Sequence, residues 1–314
     1  MPQKIILDTD IGYGTDADDA IALAYLLRRQ DCEILGITTV GRHSEWRAEL
    51  AEVICTQMGR GGIPIAAGAN HPLYANTYWP LNPVHKWPAE TGTPPLRTYI
   101  PNQAATLLAK VIRGNPGEIT LITIGQFTNL AMLLLVDPAA VDMLKAVVSM
   151  GGRISAPGEP PIAECNVILD PVAAGIAFQR LGEQLTLLPL DPICGKGLTS
   201  EELTVMLADE SLAAVRDCCH AWQSFRGASG VGLADPLTCA MAFEPDLVEL
   251  DHGTIRLKLY DHEIPDGAAF ANDAVTGATF FDRDTTGPHH VVRTAHSKAT
   301  HRHLSQVFGT AVLP

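Results

Sequence analysis

Several features that would indicate other classes of protein are missing from this chain. Its 314 residues contain no run of about 18 apolar residues, which argues against a transmembrane helix. The opening stretch, MPQKIILDTD, lacks the basic flank of a secretory signal peptide. Lys and Arg number 22 against 35 Asp and Glu, so clustered positive charge for nucleic-acid phosphates is not expected. We therefore expect neither a membrane nor a nucleic acid as a partner.

The cysteines also lack the spacing of a disulfide framework or a zinc site. There are seven, an odd number, and no two of them form a C-x-x-C pair. This usage fits a reducing compartment, so a cytoplasmic location is predicted. Hydrophobic residues make up 46% of the chain, which is enough for a sizeable core. The length allows one large α/β domain or two smaller ones.

Acidic residues are concentrated near the start of the chain. Residues 5–7 (IIL) predict a short buried strand, and residues 20–27 predict a buried helix. Five aspartates lie between or beside them, at Asp8, Asp10, Asp16, Asp18 and Asp19. Open α/β sheets bind ligands at such strand-to-helix turns. Because five carboxylates repel one another, a hard divalent cation such as Ca²⁺ or Mg²⁺ is the simplest candidate to lie among them.

The following residues continue in an alternating pattern. Residues 32–40 predict a second strand, residues 44–58 a helix, and residues 63–67 a third strand. This rhythm predicts an α/β fold with an open, mainly parallel, doubly wound sheet flanked by helices. Thr15, with Asp18 three positions later, predicts a capping box that places Asp18 in the first helical turn. Acidic residues are ordinary at that position, but this does not explain the two aspartates on the strand side.

Four segments resemble the inosine-uridine preferring nucleoside hydrolase family. The first, DTDIG followed by DDAIAL, resembles the family's DTDPG-x-DDA, with a longer connection at residues 13–17. The others are ITIGQFTNLA, similar to TGPLTNLA; MGG, AECN and DPVAA, similar to MGG, AEFN and DPEAA; and ADPL, similar to HDPLA. The resemblance implies a single nucleoside hydrolase-like domain over residues 1–314. It also implies metal-dependent hydrolysis of the N-glycosidic bond of ribonucleosides in nucleoside salvage.

The resemblance further assigns roles to individual residues. The predicted Ca²⁺ ligands are the side chains of Asp10, Asp19 and Asp235 and the backbone carbonyl of Ile124. Asp10 is also the predicted general base, which activates the attacking water. The predicted substrate-binding residues are Asp18, Glu164, Asn166 and His43, and Asp8 is predicted to support the metal ligands from behind. Members of the family are commonly homodimers or homotetramers, which predicts a homo-oligomer.

Three departures from the family pattern fall on the substrate side. Gly158 stands where an Asn contacts the sugar, and His43 stands where an Asn is common. Ala234 replaces a His that protonates the leaving base in one branch. The acid for the leaving group is then left open among His43, His85, His220 and a tyrosine, or stacking and water alone.

Two alternatives to this interpretation remain. A protein with the same fold could bind ribosides, with altered specificity or without hydrolysing them. More remotely, the apolar strand followed by D-x-D, from Ile6 to Asp10, is similar to a haloacid-dehalogenase-like phosphatase. That family expects Thr or Val two residues after the second Asp, where this chain has Gly12.

Overall fold

The computed structural model describes residues 1–73, 84–87, 97–154, 163–259 and 277–310. The strands are β1 (Gln3–Thr9), β2 (Cys32–Thr39), β3 (Ile65–Ala67), β4 (Ile119–Thr123), β5 (Ala146–Met150), β6 (Leu185–Leu188), β7 (Gly197–Thr199), β8 (Gly230–Gly232), β9 (Val248–Leu257), β10 (Thr279–Arg283) and β11 (His289–Ala295). The helices are α1 (Ala17–Arg28), α2 (Ser44–Gln57), α3 (Ala104–Gly114), α4 (Thr128–Val136), α5 (Pro138–Val141), α6 (Cys165–Ile168), α7 (Pro171–Leu181), α8 (Ser200–Met206), α9 (Ala213–Arg226), α10 (Ala234–Met241) and α11 (Ser297–Phe308).

Nine of these strands form one sheet in the order β10-β9-β11-β6-β5-β4-β1-β2-β3. The pairs from β11 through β6 to β3 are parallel, whereas β9 is antiparallel to both of its neighbours. The chain builds outward from β1 in one direction to β3, then returns to add β4, β5 and β6 on the other side. This reversal places a crevice at the carboxyl ends of β1 and β4, where doubly wound folds bind ligands.

Strand β1 lies in the interior of the sheet, between β4 and β2, and is buried on both faces. Ile5 and Leu7 point into the core packed by α1, α2, α9 and α10, and Ile6 points into the core packed by α3, α4 and α7. Successive strand residues point to opposite faces, so an apolar run such as IIL fits a strand covered on both sides. The predicted mainly parallel sheet flanked by helices is therefore confirmed.

The predicted capping box at the start of α1 is wrong. The N-cap residue is Asp16, which has φ 46° and ψ 55° and makes no capping hydrogen bond through its side chain. The Thr15 hydroxyl donates to the Asp16 carboxylate at 2.8 Å instead of to a helix N–H. Asp18 and Asp19 nevertheless lie in the first turn of α1, as predicted. No helix in the described ranges is long and apolar enough to cross a membrane.

Gly125 gives a direct test of how closely the ends of β1 and β4 approach. A Cβ atom at this position would lie 2.8 Å from the Asp10 backbone nitrogen and 2.7 Å from a Val40 methyl. We expect Gly125→Ala to lower the free energy of unfolding by about 1–3 kcal/mol, because these neighbours must move. Gly114→Ala is the matched control, since nothing lies within 4 Å of its Cβ position. Urea denaturation that shows equal effects for both would contradict this packing.

Candidate active site

Three carboxylates meet at the carboxyl edge of the sheet. Asp18 and Asp19 come from the first turn of α1, and Asp235 comes from the first turn of α10. Each offers an oxygen atom that lies within 4.8 Å of the oxygens of the other two. Asp19 and Asp235 are buried, and Asp18 is partly exposed. The two helix N-termini are a favourable place for negative charge, which explains how the fold tolerates this cluster.

The environment of the cluster opposes ionisation of its members. Burial, followed by the charges of neighbouring aspartates, raises the pKa of Asp19 and of Asp235 well above the usual value. Burial and the charge of Asp16 raise the pKa of Asp18 to about 6. The Thr9 hydroxyl donates a hydrogen bond to Asp19 and partly offsets the rise in the Asp19 pKa. The protein must therefore either protonate these carboxyls or neutralise them with a cation.

Asp10 lies beside this cluster, directly after β1. It is buried, and its Oδ2 accepts a hydrogen bond from Gln126 Nε2 at 3.3 Å. Its pKa is raised well above the usual range by burial first, then by the charges of Asp16, Asp19 and Asp18. Asp10 is therefore close enough to Asp19 for their charges to interact. The three carboxylate oxygens that lie within 4.8 Å of one another belong to Asp18, Asp19 and Asp235, and Asp10 is not among them.

Asp8 lies behind Asp10 and is completely buried. Its Oδ1 accepts hydrogen bonds from the Thr38 hydroxyl at 2.5 Å and from Asn129 Nδ2 at 2.7 Å. Its Oδ2 has no hydrogen-bond partner among the described residues. Burial raises the pKa of Asp8 to about 7 despite these two donors. A buried polar oxygen without a partner is uncommon in a protein, so Asp8 Oδ2 is a place where the described residues leave a polar group unsatisfied.

Glu164 and Asn166 lie at the same edge and are held by backbone groups. Glu164 is the N-cap of α6, and its carboxylate accepts the N–H groups of Asn166 and Gly152, each at 2.8 Å. Asn166 Nδ2 donates to the carbonyl of Ile124 at 2.9 Å. The predicted carbonyl ligand therefore touches a predicted sugar contact. Burial raises the pKa of Glu164 to about 7, which is partly offset by those backbone donors.

His43 lies at the end of the loop between β2 and α2. It has φ 59° and its ring stacks on Trp46, with the ring centroids 3.8 Å apart. Its Nδ1 lies 3.5 Å from a Glu45 carboxylate oxygen. Gly158 falls outside the described residues, so the predicted change in sugar binding at that position stays a prediction.

Two features of the site were missed by the sequence reasoning. The first is Arg47, a buried cation on α2 whose charge lowers the pKa of Asp10 against the surrounding carboxylates. Arg47 shares one helix face with Ala51 and Cys55, which are also buried. A charged residue on the apolar face of a helix is a signal that could have identified it.

The second missed feature is a cleft of about 540 Å³ beside the acidic connection (residues 13–17). It is lined by Tyr13, His85, Lys86, Asp217, His220, Ala221, Ser224 and Phe225. The rings of His85 and Phe225 stack with centroids 4.7 Å apart, and Tyr13 meets Trp87 edge to face at 5.3 Å. His85 Nε2 is buried and has no hydrogen-bond partner among the described residues. An aromatic cleft of this size suits a planar ligand.

The donor chemistry of the acidic cluster fits a metal ion. All its groups are carboxylate oxygens, which hard cations such as Ca²⁺ and Mg²⁺ prefer. In the described part of the chain, Asp18, Asp19 and Asp235 could together hold such an ion. The raised pKa values of Asp19 and Asp235 agree with a site that is complete only when positive charge is added.

Comparison with known proteins places this site in a family. The family model for the inosine-uridine preferring nucleoside hydrolases matches residues 5–304. The chain belongs to this family, and the prediction made from the four segments is confirmed. It is thus an enzyme of the nucleoside hydrolase class, a class whose members act on ribonucleosides.

Individual relatives agree on the class and differ in the base that their names record. The chain is 28% identical over 271 residues to uridine nucleosidase 1 of Arabidopsis thaliana, covering 82% of this chain and 78% of that one. It is 31% identical over 264 residues to a pyrimidine-specific ribonucleoside hydrolase, RihA, of Shewanella baltica, covering 79% and 80%. The purine-preferring ribonucleoside hydrolase from Gardnerella vaginalis shares the fold, with a TM-score of 0.77, 21% identity and 98% coverage of both chains.

The buried Asp8 carboxyl makes stability depend on pH in a predictable direction. Its pKa is near 3.8 when unfolded and about 7 when folded, so the folded state is favoured most below pH 4. As the pH rises from 4 to 8, the unfolded chain releases its proton first, and this contribution to stability is lost. In EDTA, between pH 4 and 8, we expect the free energy of unfolding of Asp8→Asn to rise relative to that of the wild type by on the order of 4 kcal/mol.

Urea titrations between pH 4 and 8 measure this difference. Asp137→Asn is the control, because the Arg113 guanidinium lowers the pKa of Asp137. The stability that this pair supplies is lost only as the pH falls below about 3.8, so the difference between Asp137→Asn and the wild type should stay nearly constant between pH 4 and 8. A constant difference between Asp8→Asn and the wild type across the range would show that Asp8 does not titrate as described.

Proposed function

We propose that this chain is a single-domain, calcium-dependent hydrolase that cleaves the N-glycosidic bond of ribonucleosides into free base and ribose. The observation that carries the proposal is the convergence of Asp18, Asp19 and Asp235, with Asp10 beside them, at the crevice of a nucleoside hydrolase fold. The proposed ligands are the carboxylates of Asp10, Asp19 and Asp235 and the Ile124 carbonyl. A bound calcium ion would supply positive charge that orients a water molecule and makes it more acidic.

Asp10 is the proposed general base. It lies against the cluster, and Gln126 holds one of its oxygens, which leaves the other to accept a proton from the attacking water. The water oxygen forms a bond to the anomeric carbon of the ribose as the bond from that carbon to the base nitrogen breaks. The bonding electron pair leaves with the base, which then takes up a proton. Asp8 fixes the end of β1 behind Asp10 through its bonds to Thr38 and Asn129.

The ribose is proposed to lie between Asp18 on one side and Glu164 and Asn166 on the other. On the second side, the Asn166 amide donates a hydrogen bond to the Ile124 carbonyl, which is a proposed metal ligand. The backbone N–H groups that bond Glu164 keep its carboxylate in a fixed position. A carboxylate that is already fixed can accept a hydrogen bond from a sugar hydroxyl with little further loss of side-chain entropy, which favours the productive geometry.

The cleft lined by Tyr13, His85 and Phe225 is proposed to receive the base. His85 is the proposed acid for the leaving group, because its Nε2 is buried without a partner and its ring is held flat against Phe225. This assignment compensates for Ala234, which cannot donate a proton. His43 is engaged by Trp46 and Glu45, and we propose for it a contact at the rim rather than proton transfer.

The two alternatives are not confirmed by the comparisons. Family membership gives no support to a phosphatase, and riboside binding without hydrolysis is an outcome of the experiments below. The homo-oligomer, the cytoplasmic location and the role in salvage stay predictions.

Removal of one metal ligand tests the proposed cation site. We expect Asp235→Asn to weaken calcium binding at least tenfold by isothermal titration calorimetry, because one of few charged oxygens is lost. In the wild type, EDTA should abolish hydrolysis of inosine and uridine, and calcium should restore it. Asp282→Asn, on the exposed surface, is the control. Riboside binding without hydrolysis in calcium would favour the binder, and calcium binding unaffected by Asp235→Asn would overturn the proposed site.

A substrate whose leaving group needs no proton tests the role of His85. We expect His85→Gln to lower kcat for inosine or uridine about 100-fold and to change kcat for p-nitrophenyl riboside little. His220→Gln, in the same cleft, is the matched variant. If His220→Gln shows this pattern and His85→Gln does not, the acid is His220 and the assignment is wrong.

A further inference from the structure

The acidic connection (residues 13–17) is held in an unusual conformation at Asp16. This residue is the N-cap of α1, yet its backbone is in the left-handed region and its carboxylate does not bond the helix N–H groups. Asp at an N-cap usually bonds those groups, and non-glycine residues in this region are uncommon. The carboxylate must therefore have another partner that offsets the cost of the conformation.

The Asp16 carboxylate is bonded by the Thr15 hydroxyl at 2.8 Å, within the same segment, and by Arg47 on α2, which is its partner outside the segment. Arg47 Nη1 lies 3.3 Å from Asp16 Oδ2, and Arg47 Nε donates to the Arg42 carbonyl at 3.1 Å. The Arg47 side chain is only 5% exposed and that of Asp16 is 32% exposed, so the guanidinium is buried while the carboxylate reaches solvent on its other side. Gly12 makes room for this pair, because a Cβ atom there would lie 3.1 Å from Arg47 Nη1.

The segment held by this pair reaches the cleft. Gly12 and Thr15 pair as an isolated bridge, with Tyr13 and Gly14 at the tip of the turn. The Tyr13 carbonyl accepts the His85 backbone N–H at 3.1 Å, and its ring meets Trp87. At Gly14, which has φ +82°, a Cβ atom would lie 2.9 Å from Phe225. The tip therefore fits closely between two walls of the cleft.

We propose that Asp16 and Arg47 form a latch that fixes the acidic connection, so that Tyr13 and His85 present a rigid wall to the substrate's base. The effect on substrate rests on the proposed function, whereas the latch itself does not. Arg47 and Asp16 are positioning residues: neither contacts the reacting atoms, and both act through the turn at Tyr13. Rigid placement of this wall lowers KM, since the free enzyme already has the shape that binds the base.

A simpler explanation is that the two charges act only through their field on the acidic cluster. Asp16 and Arg47 influence Asp10 with opposite sign. Under that explanation, loss of Arg47 strengthens cation binding and loss of Asp16 weakens it. A latch instead predicts that either loss has the same effect, because each breaks the same contact.

The variants Asp16→Asn, Arg47→Gln, their double variant and Arg47→Lys distinguish these explanations. Asn tolerates the left-handed conformation, so Asp16→Asn removes charge without adding strain. Hydrogen exchange followed by mass spectrometry reports on residues 12–16 and on the His85 N–H, without any need for activity. KM and kcat for inosine and uridine report on the substrate wall. Arg113→Gln, which breaks a surface pair with Asp137, is the matched control.

We expect each single variant to raise the rate of hydrogen exchange at residues 12–16 and at the His85 N–H. Each should also raise KM about tenfold, with a smaller change in kcat. The double variant should match the singles rather than add to them, and Arg47→Lys should restore part of the effect. Opposite effects of the single variants on calcium affinity, with unchanged exchange, would overturn the latch. If the wild type hydrolyses no nucleoside but exchange still rises in the variants, the latch stands and the proposed function fails.

Discussion

Repulsion among buried carboxylates is the constraint on which the rest of this structure depends. Asp8, Asp10, Asp19 and Asp235 are all buried, and burial penalises the charge of each; at Asp10, Asp19 and Asp235 the charges of neighbouring aspartates add to this penalty. The fold reduces this cost with hydroxyl and amide donors, with the N-termini of α1 and α10, and with one buried guanidinium. Because the raised pKa values persist despite these groups, the site is suited to an added cation.

The position of the crevice follows from the sheet. The chain leaves β1 toward β2 and later returns to add β4 on its other side, so the two carboxyl ends open a gap between them. Asp10 directly follows β1, and Ile124 and Gly125 directly follow β4. The small size of Gly125 lets the ends approach, which brings the Ile124 carbonyl to the same edge as Asp10.

The sequence could predict the parts of this site that depend on local pattern. An apolar strand, a run of aspartates and an apolar helix indicate a ligand at a strand-to-helix turn, and resemblance linked Asp235 to it across more than two hundred residues. The left-handed backbone of Asp16 and its pairing with Arg47 were not predictable in this way, although the position of Arg47 on an apolar helix face indicates that Arg47 is buried. A helix-start rule favoured Thr15 and Asp18, but the Asp16 carboxylate bonds both the Thr15 hydroxyl and Arg47, and the second of these contacts joins elements that no local rule connects.

The cation side and the cleft side of the site are built by different elements. Strand ends and helix starts supply the carboxylates, whereas the turn at Tyr13, the segment at residues 84–87 and one face of α9 supply the cleft. A substitution in the second set would change the shape of the cleft without replacing a carboxylate of the acidic cluster. Ala234 precedes Asp235 directly, and the loss of a side chain able to donate a proton there leaves the position of Asp235 in α10 intact. Under the proposed function, base recognition and cation binding therefore depend on different elements of the fold.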